Sequence, residues 1–339
     1  MDYRTNELLK VGNRLFSQKA SLDNLWQEIA ENFYPERAEF TRTRDIGEEF
    51  AGNLTSSYPI IARRSLGDLF SSMLRPMDKL WFAITAKGGS NENDLTALQY
   101  LEFVTNLQRN AMYDSESGFV RATKEADHDY AAFGNAVIST EMNWNKMALL
   151  YRCHHLRDVV WCEDVAGTVE RIDNKWKPTI RDIARRFKNI HPEMQKEYET
   201  GDMYRQVECR HIVLPSDAYE SSYKEHRTGK STRYKQPWVS VYIDTENDHI
   251  LEEVGSWTRV YTIPRWQTVS GSQYSYSPAT VAALPDARLY QAIALTILEA
   301  GEKYTNPPMI ATKEAIRGDV NLYAGGVTWA EGDYDERLG

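Results

Sequence analysis

Apolar side chains recur every three to four residues through the first third of the chain and at alternate residues through much of the middle. Leu22, Leu25, Trp26, Ile29 and Phe33 follow Ser21 at helical spacing, which predicts a helix capped by Ser21 and ended by Pro35. Positions 41–56 are polar and read as a loop. Pro59 suits the first turn of a second helix carrying Ile60, Leu66, Leu69, Phe70 and Met73, and Pro76 stops it. Leu80–Thr85 is predicted as a short strand and Lys87–Asn93 as a turn. Asp94 is placed to cap a third helix with Leu98, Leu101, Leu107 and Met112. A fourth runs from Phe119 to Phe133 and ends at Gly134, the residue that tolerates a left-handed C-terminal conformation.

Beyond Gly134 the period shortens to two. Asn135–Met142, Ala148–Leu156, Val159–Trp161 and Thr168–Ile172 are predicted strands, followed by short helices opening at Pro178 and Pro192. A second β-rich block comprises Gln206–Leu214, Trp238–Asp244, His249–Val254 and Thr258–Ile263. Between its first two strands, 215–236 is polar and carries Lys224, Arg227, Lys230, Arg233 and Lys235 against Asp217, Glu220 and Glu225. A long loop of this kind is either a solvated hairpin or a contact for a partner or DNA. Pro278–Tyr304 is the most regular helix. Leu289, Ile293, Ile297, Ala300 and Tyr304 form one stripe, and Ala287, Ala294 and Leu298 widen it. So broad an apolar girth calls for neighbours on more than one side. Asn306-Pro307-Pro308 ends it. Helical and extended blocks segregated in this way make the fold class α+β.

Composition narrows the functions open to the chain. Its 339 residues suffice for about two domains. With 12% aromatic residues it has ample surface to bury, which argues against disorder. The longest apolar run, Ala292–Leu298, is interrupted by Thr296, so no membrane insertion is expected. Three cysteines make no disulfide framework. A net charge of −9 argues against a broad phosphate-gripping surface, though not against a conduit through which nucleic acid slides. No phosphate-binding glycine loop, G-x-S-x-G elbow or H-E-x-x-H helix is present. Cys153, His154, His155, Cys162, Cys209 and His211 lack zinc spacing, and buried thiols with strand histidines are the better account. The acidic pairs Glu48/Glu49, Glu163/Asp164 and Glu252/Glu253 fit solvated loops. No catalytic residue, cofactor or metal site is expected.

Several strings occur together in order. They are Leu25-Trp26-Gln27-Glu28-Ile29-Ala30, Tyr34-Pro35-Glu36-Arg37-Ala38-Glu39-Phe40-Thr41, and Leu66 through Ser71-Ser72-Met73-Leu74-Arg75-Pro76 followed by Trp81-Phe82. Phe133-Gly134-Asn135, Ile263-Pro264-Arg265-Trp266, Tyr276-Ser277-Pro278, Ala283-Leu284-Pro285-Asp286 and Asn306-Pro307-Pro308 complete the set. In this order the chain resembles the head-to-tail connecting (portal) proteins of short-tailed, podovirus-type double-stranded DNA phages, over residues 7 to about 330.

The resemblance implies a portal fold with a helical and β-stranded wing, a helical stem and a β-rich clip. By position, 1–177 corresponds to wing, 178–204 to the first stem-proximal helices and 205–266 to clip. Residues 277–304 correspond to the second stem helix and 309–339 to a wing return cut off before a crown, so the chain reads as part of a longer protein. It further implies a ring of twelve copies at one capsid vertex of the virion, assembled in the host cytoplasm with capsid and scaffolding proteins. Double-stranded DNA would pass through its channel in packaging and ejection, and the terminase large subunit and tail adaptor proteins would dock on it. On this reading Leu289, Ile293, Ile297 and Leu298 are candidates for the intersubunit stem. Lys303, Lys313 and Arg317 are candidates for the DNA channel, with ordinary surface charges as the competing account. Lys224, Arg227, Lys230, Arg233 and Lys235 are candidates for partner docking. A non-portal tail or adaptor protein and a metal-dependent nucleic-acid enzyme are the alternatives.

Overall fold

The computed structural model describes residues 3–45, 47–49, 51–52, 54–86, 94–143, 146–221, 236–312 and 321–330. Four helices lead. Helix α1 (Tyr3–Phe33) is followed by a short 3-10 turn (Pro35–Arg37), α2 (Tyr58–Leu74), α3 (Leu95–Met112) and α4 (Phe119–Phe133). Helix α1 begins far upstream of Ser21, which lies within it. Its buried positions run Thr5, Leu8, Gly12, Leu15, Lys19, Trp26, Gln27, Ile29, Ala30 and Phe33. The spacing is helical throughout, but Gly12 and Lys19 occupy two core-facing positions and break the apolar stripe. Leu80–Thr85 forms no strand. The Ile84 amide donates to Thr105 Oγ1 on α3 (3.1 Å) rather than to a neighbouring strand. The side chain of Asp94 caps α3 by accepting from the amides of Thr96 and Ala97. The expected turn Lys87–Asn93 lies outside the described residues.

Strands follow. Strands β1 (Ile138–Asn143) and β2 (Ala148–Cys153) form a hairpin, and a 3-10 turn (Leu156–Asp158) leads into β3 (Val159–Glu163) and β4 (Val169–Trp176). After α5 (Ile180–Arg186) and α6 (Pro192–Thr200) come β5 (Cys209–Pro215), α7 (Ser216–Ser221), β6 (Trp238–Asp244), β7 (His249–Ser256) and β8 (Tyr261–Thr262). The loop expected at 215–236 therefore opens with a helix. Strand β8 is shorter than expected because Val260 adopts φ 62°, a conformation that β-branched residues avoid and that interrupts extended pairing. Helix α8 (Pro278–Thr305) and the parallel pair β9 (Met309–Thr312) and β10 (Val327–Ala330) complete the chain.

One antiparallel sheet runs β3-β4-β5-β6-β7 without a break, and a second runs β2-β1-β8. The five-stranded sheet thus draws on both sides of positions 178–204, with α5 and α6 as an insertion packed on it. Ile180, Ile183, Phe187 and Met194 from that insertion cover Cys209, Tyr242 and Leu251. In a separate cluster, Leu8 of α1 packs with Ile212, Leu214, Val239, Val241 and Ile243. The largest cluster joins Trp26, Ile29 and Phe33 to Phe40, Phe133, Trp161, Tyr274 and Leu284. It locks α1, α4 and the start of α8 together.

Polar groups pin α1 to the sheet. Arg210 donates to Asp173 Oδ1 (2.8 Å) and to Asn13 Oδ1 (2.6 Å), and a Cβ at Gly12 would overlap the Asp173 carboxylate. Lys19, only 2% exposed, donates to the carbonyls of Leu156 (2.6 Å), Arg157 (3.2 Å) and Val159 (3.0 Å) and lies 3.4 Å from Asp23. It closes the 3-10 turn before β3. Burial pushes its ammonium down to about 8 from the usual 10.5, against the pull of Asp23. Below pH 8 the folded and unfolded chains both carry this proton, and the burial penalty stands in full. Between pH 8 and 10.5 the folded chain releases it first, so the residue's contribution to stability climbs by about 3 kcal/mol. Urea unfolding should show the wild type gaining on Lys19→Met as pH rises through that window. A constant difference would contradict the assignment.

Candidate assembly face on the long helix

The first half of α8 is built into the molecule. Gly134, with φ 71°, ends α4 and brings the chain against Tyr276 and Ser277 so closely that a Cβ would overlap their backbone. From there the hydroxyls of Ser277 and Thr280 donate to the carbonyls of Ala131 (2.7 Å) and Ala132 (2.6 Å). These bonds satisfy carbonyls left open at the end of α4. Leu284 and Ala287 enter the main core. Arg288 pairs with Glu28 of α1. Gln291 then takes hold of the loop before α2. Its Oε1 accepts from the amides of Thr55 and Ser56 (both 2.9 Å) and from Thr55 Oγ1 (2.8 Å), and its Nε2 donates to the Ser56 carbonyl (2.8 Å).

Past Gln291 the anchoring ends. Among the described residues, no side-chain hydrogen bond or ion pair ties 292–305 to another element, and those of Thr296 and Thr305 stay within the helix. Leu289, Ile293, Ile297 and Leu298 are 60%, 48%, 65% and 56% exposed, and Tyr290, Leu295 and Tyr304 are exposed as well. At 3.6 residues per turn, Leu289, Tyr290, Ile293, Ile297, Leu298 and Tyr304 cover about half the girth, while Arg288, Glu299, Glu302 and Lys303 fall on the other side. The helix is therefore amphipathic with its apolar side bare. Leu289, Ile293, Ile297 and Leu298 come together on that side. Lys303 stands exposed near the helix end, on the charged side. Lys313, Arg317, Lys224, Arg227, Lys230, Arg233 and Lys235 lie outside the described residues.

By length and composition α8 is also apolar enough to cross a bilayer, a property the interrupted run Ala292–Leu298 concealed. A second bare surface escaped the sequence reading. On α3, Tyr100, Phe103 and Leu107 stand exposed at i, i+3 and i+7, and Leu69, Met73 and Leu74 of α2 are exposed as well. The signal was present as a second apolar stripe on α3, beside the one that buries Met112.

His154 and His211 are held in structural hydrogen bonds. His211 stacks on Tyr242 (3.9 Å between centroids), and its two ring nitrogens meet Tyr261 Oη (2.5 Å) and Ser240 Oγ (2.7 Å). Burial holds it well below the ordinary histidine range. Asn174 links Tyr261 to His154, which reaches Ser139, so the network ties the two sheets together. The three cysteines are free thiols, and burial pushes those of Cys153 and Cys209 well up. Among the described residues no group of three or more His, Cys, Asp or Glu is arranged to hold a metal ion.

Comparison with known proteins places this architecture. A portal protein of Salmonella phage epsilon15 is 21% identical to the chain over 330 residues, covering 96% of the chain and 57% of the relative. The chain thus spans little more than half the length of that relative. The family described as bacteriophage head to tail connecting protein matches residues 5–337. With nearly every element from α1 onward inside that match, the chain belongs to the bacteriophage head to tail connecting protein family.

Proposed function

We propose that this chain is a subunit of a portal ring at one capsid vertex of a phage virion, with a structural rather than catalytic role. The observation that carries the reading is the bare apolar half of α8. A lone subunit would leave it in water, and cyclic repetition would bury it against the next copy. On this reading 277–304 is a stem helix, 178–204 approaches the stem, 1–177 and 309–339 contribute to the wing, and 205–266 to the clip. Because one sheet spans β3 to β7, wing and clip would move as joined parts. Leu289, Ile293, Ile297 and Leu298 would face neighbouring copies.

Twelve copies would enclose a channel for double-stranded DNA during packaging and ejection. Lys303, Lys313 and Arg317 would form cation rings along it. An acidic chain suits this task, since strong phosphate binding would brake a sliding duplex. The segment bearing Lys224, Arg227, Lys230, Arg233 and Lys235 would dock the terminase large subunit and later the tail adaptors. Capsid and scaffolding proteins would meet the ring during assembly in the host cytoplasm. Purified particles imaged by electron microscopy should show cyclic symmetry about a hole wide enough for a duplex. Uniform monomers, or recovery of the chain in detergent-extracted membranes through α8, would refute the reading. Deleting 222–235 should leave rings intact and weaken capture of motor or adaptor proteins. Undiminished capture would remove that role.

A further inference from the structure

Helices α2 and α4 pack along a seam that carries one histidine. Gly67 of α2 leaves a notch there, and the ring of His128 from α4 fills it, so that a Cβ at Gly67 would fall 2.3 Å from His128 Nδ1. One turn earlier on α2, Arg63 Nη1 donates to that same nitrogen (3.0 Å). A guanidinium can only donate, so Nδ1 accepts and the ring is neutral, with its proton on Nε2.

Arg63 has no room to retreat. It is 4% exposed, its Nε donates to the Phe33 carbonyl (3.2 Å), and its guanidinium carbon lies 3.8 Å from the centre of the Tyr34 ring. A second proton on His128 would set the N–H of a cationic ring against a fixed cation, across the span of the present hydrogen bond. The other groups facing the ring are Asp68 of α2, Lys124 and Asp129 of α4 and the Tyr34 phenol. Asp129 is taken up by Arg37 (2.7 Å). Asp68 attracts the proton, with its Oδ1 3.6 Å from His128 Nε2, but it is half exposed and lies 3.6 Å from Lys124 as well. Water and salt screen that attraction more than they screen the repulsion from buried Arg63. Burial, and then Arg63, accordingly hold the ring below the ordinary histidine range, against the pull of Asp68.

We propose that His128 is an acid-released latch between α2 and α4: neutral, it seats in the Gly67 notch and accepts from Arg63; protonated, it leaves the notch and frees the first turns of α2. The last turns stay tied through Arg75 with Asp127 and Phe70 against Tyr130. The loop gripped by Gln291 of α8 leads into those first turns, so their release would also loosen the support of α8. Below the ordinary 6.5 an unseated histidine gains a proton that the seated ring refuses, and the seat therefore loses stability as pH falls. Every group involved lies in one chain, and the latch stands independently of the ring reading.

The test is amide hydrogen exchange read by mass spectrometry on the whole chain, at about pH 7.5 and about pH 5.5 and corrected for intrinsic rates. Exchange of the His128 ring C2 hydrogen on the same samples reports its titration. Residues 58–67 should lose protection several-fold at the lower pH while β4, β5 and β6 keep theirs, and His128 should titrate below 6.5. His128→Asn still offers Arg63 an acceptor and does not titrate, so it should abolish the loss. Should that variant fail to fold, the wild-type readings still decide, because the loss at 58–67 must follow the His128 titration. An unchanged 58–67 in the wild type, an equal loss in His128→Asn, or titration of His128 at or above 6.5 would overturn the proposal. A loss shared equally by β4, β5 and β6 would overturn it too, since acid would then be unfolding the chain and not opening the seam.

Discussion

Chains carrying Ile293→Asp or Leu298→Asp should remain monomeric under conditions in which the wild-type chain assembles. Both side chains are about half exposed in the single chain, so a carboxylate there meets water and costs folding little, within about 0.5 kcal/mol. In a ring the same carboxylate would be buried against an apolar neighbour without a partner. Burial of that kind costs several kcal/mol at every interface, and cyclic closure repeats the cost around the ring. Native mass spectrometry and a thermal melt on the same samples separate the two effects. Intact rings from both variants would show that this half of α8 is not an interface. A large loss of melting temperature would show that the side chains belong to an intrachain core.

Gly134→Ala should unfold the molecule far more readily than its size suggests. A left-handed conformation costs an alanine roughly 1 kcal/mol. At Gly134 the new Cβ would also overlap the backbone of Tyr276 and Ser277, which no rotamer change can move. Relief requires shifting the start of α8 off the Ala131 and Ala132 carbonyls, at a total cost of about 3 kcal/mol or more. Gly167→Ala is the matched control. Gly167 has a similar φ of 74°, yet nothing lies within 4 Å of its would-be Cβ, so only the conformational cost applies. Urea denaturation of the two variants should differ by about 2 kcal/mol or more. Equal losses would mean that the α4–α8 junction is softer than its packing implies.

The elements most legible in the sequence are those with local punctuation. Helix α4 starts and ends where expected because Gly134 stops it, and α3 begins at its Asp94 cap. Strand β6 matches its expected span. What stayed hidden depends on distant partners. The first half of α1 was lost because Gly12 and Lys19 serve as core residues only in the presence of Asp173 and the carbonyls around Leu156. Leu80–Thr85 carries the composition of a strand, but Trp81 and Phe82 pack on each other (4.7 Å) and the backbone turns to α3 for a bond. The unbroken sheet from β3 to β7 could not be read from strands separated by two helices. The apolar stripe of α8 was legible in full. That no described part of its own chain ties down the second half was not, because periodicity reports a face and not what meets it.

The Gln291 clamp gives α8 the mechanics of a cantilever. The fourteen residues from Ala292 to Thr305 extend roughly 20 Å beyond their last support. A sideways push at the tip is returned as torque at Thr55 and Ser56, and from there to the first turn of α2. Load applied at the helix tip is thus delivered to the loop before α2 through both the amide and the main-chain carbonyl of Gln291, with Tyr290 resting on Tyr58 beside them.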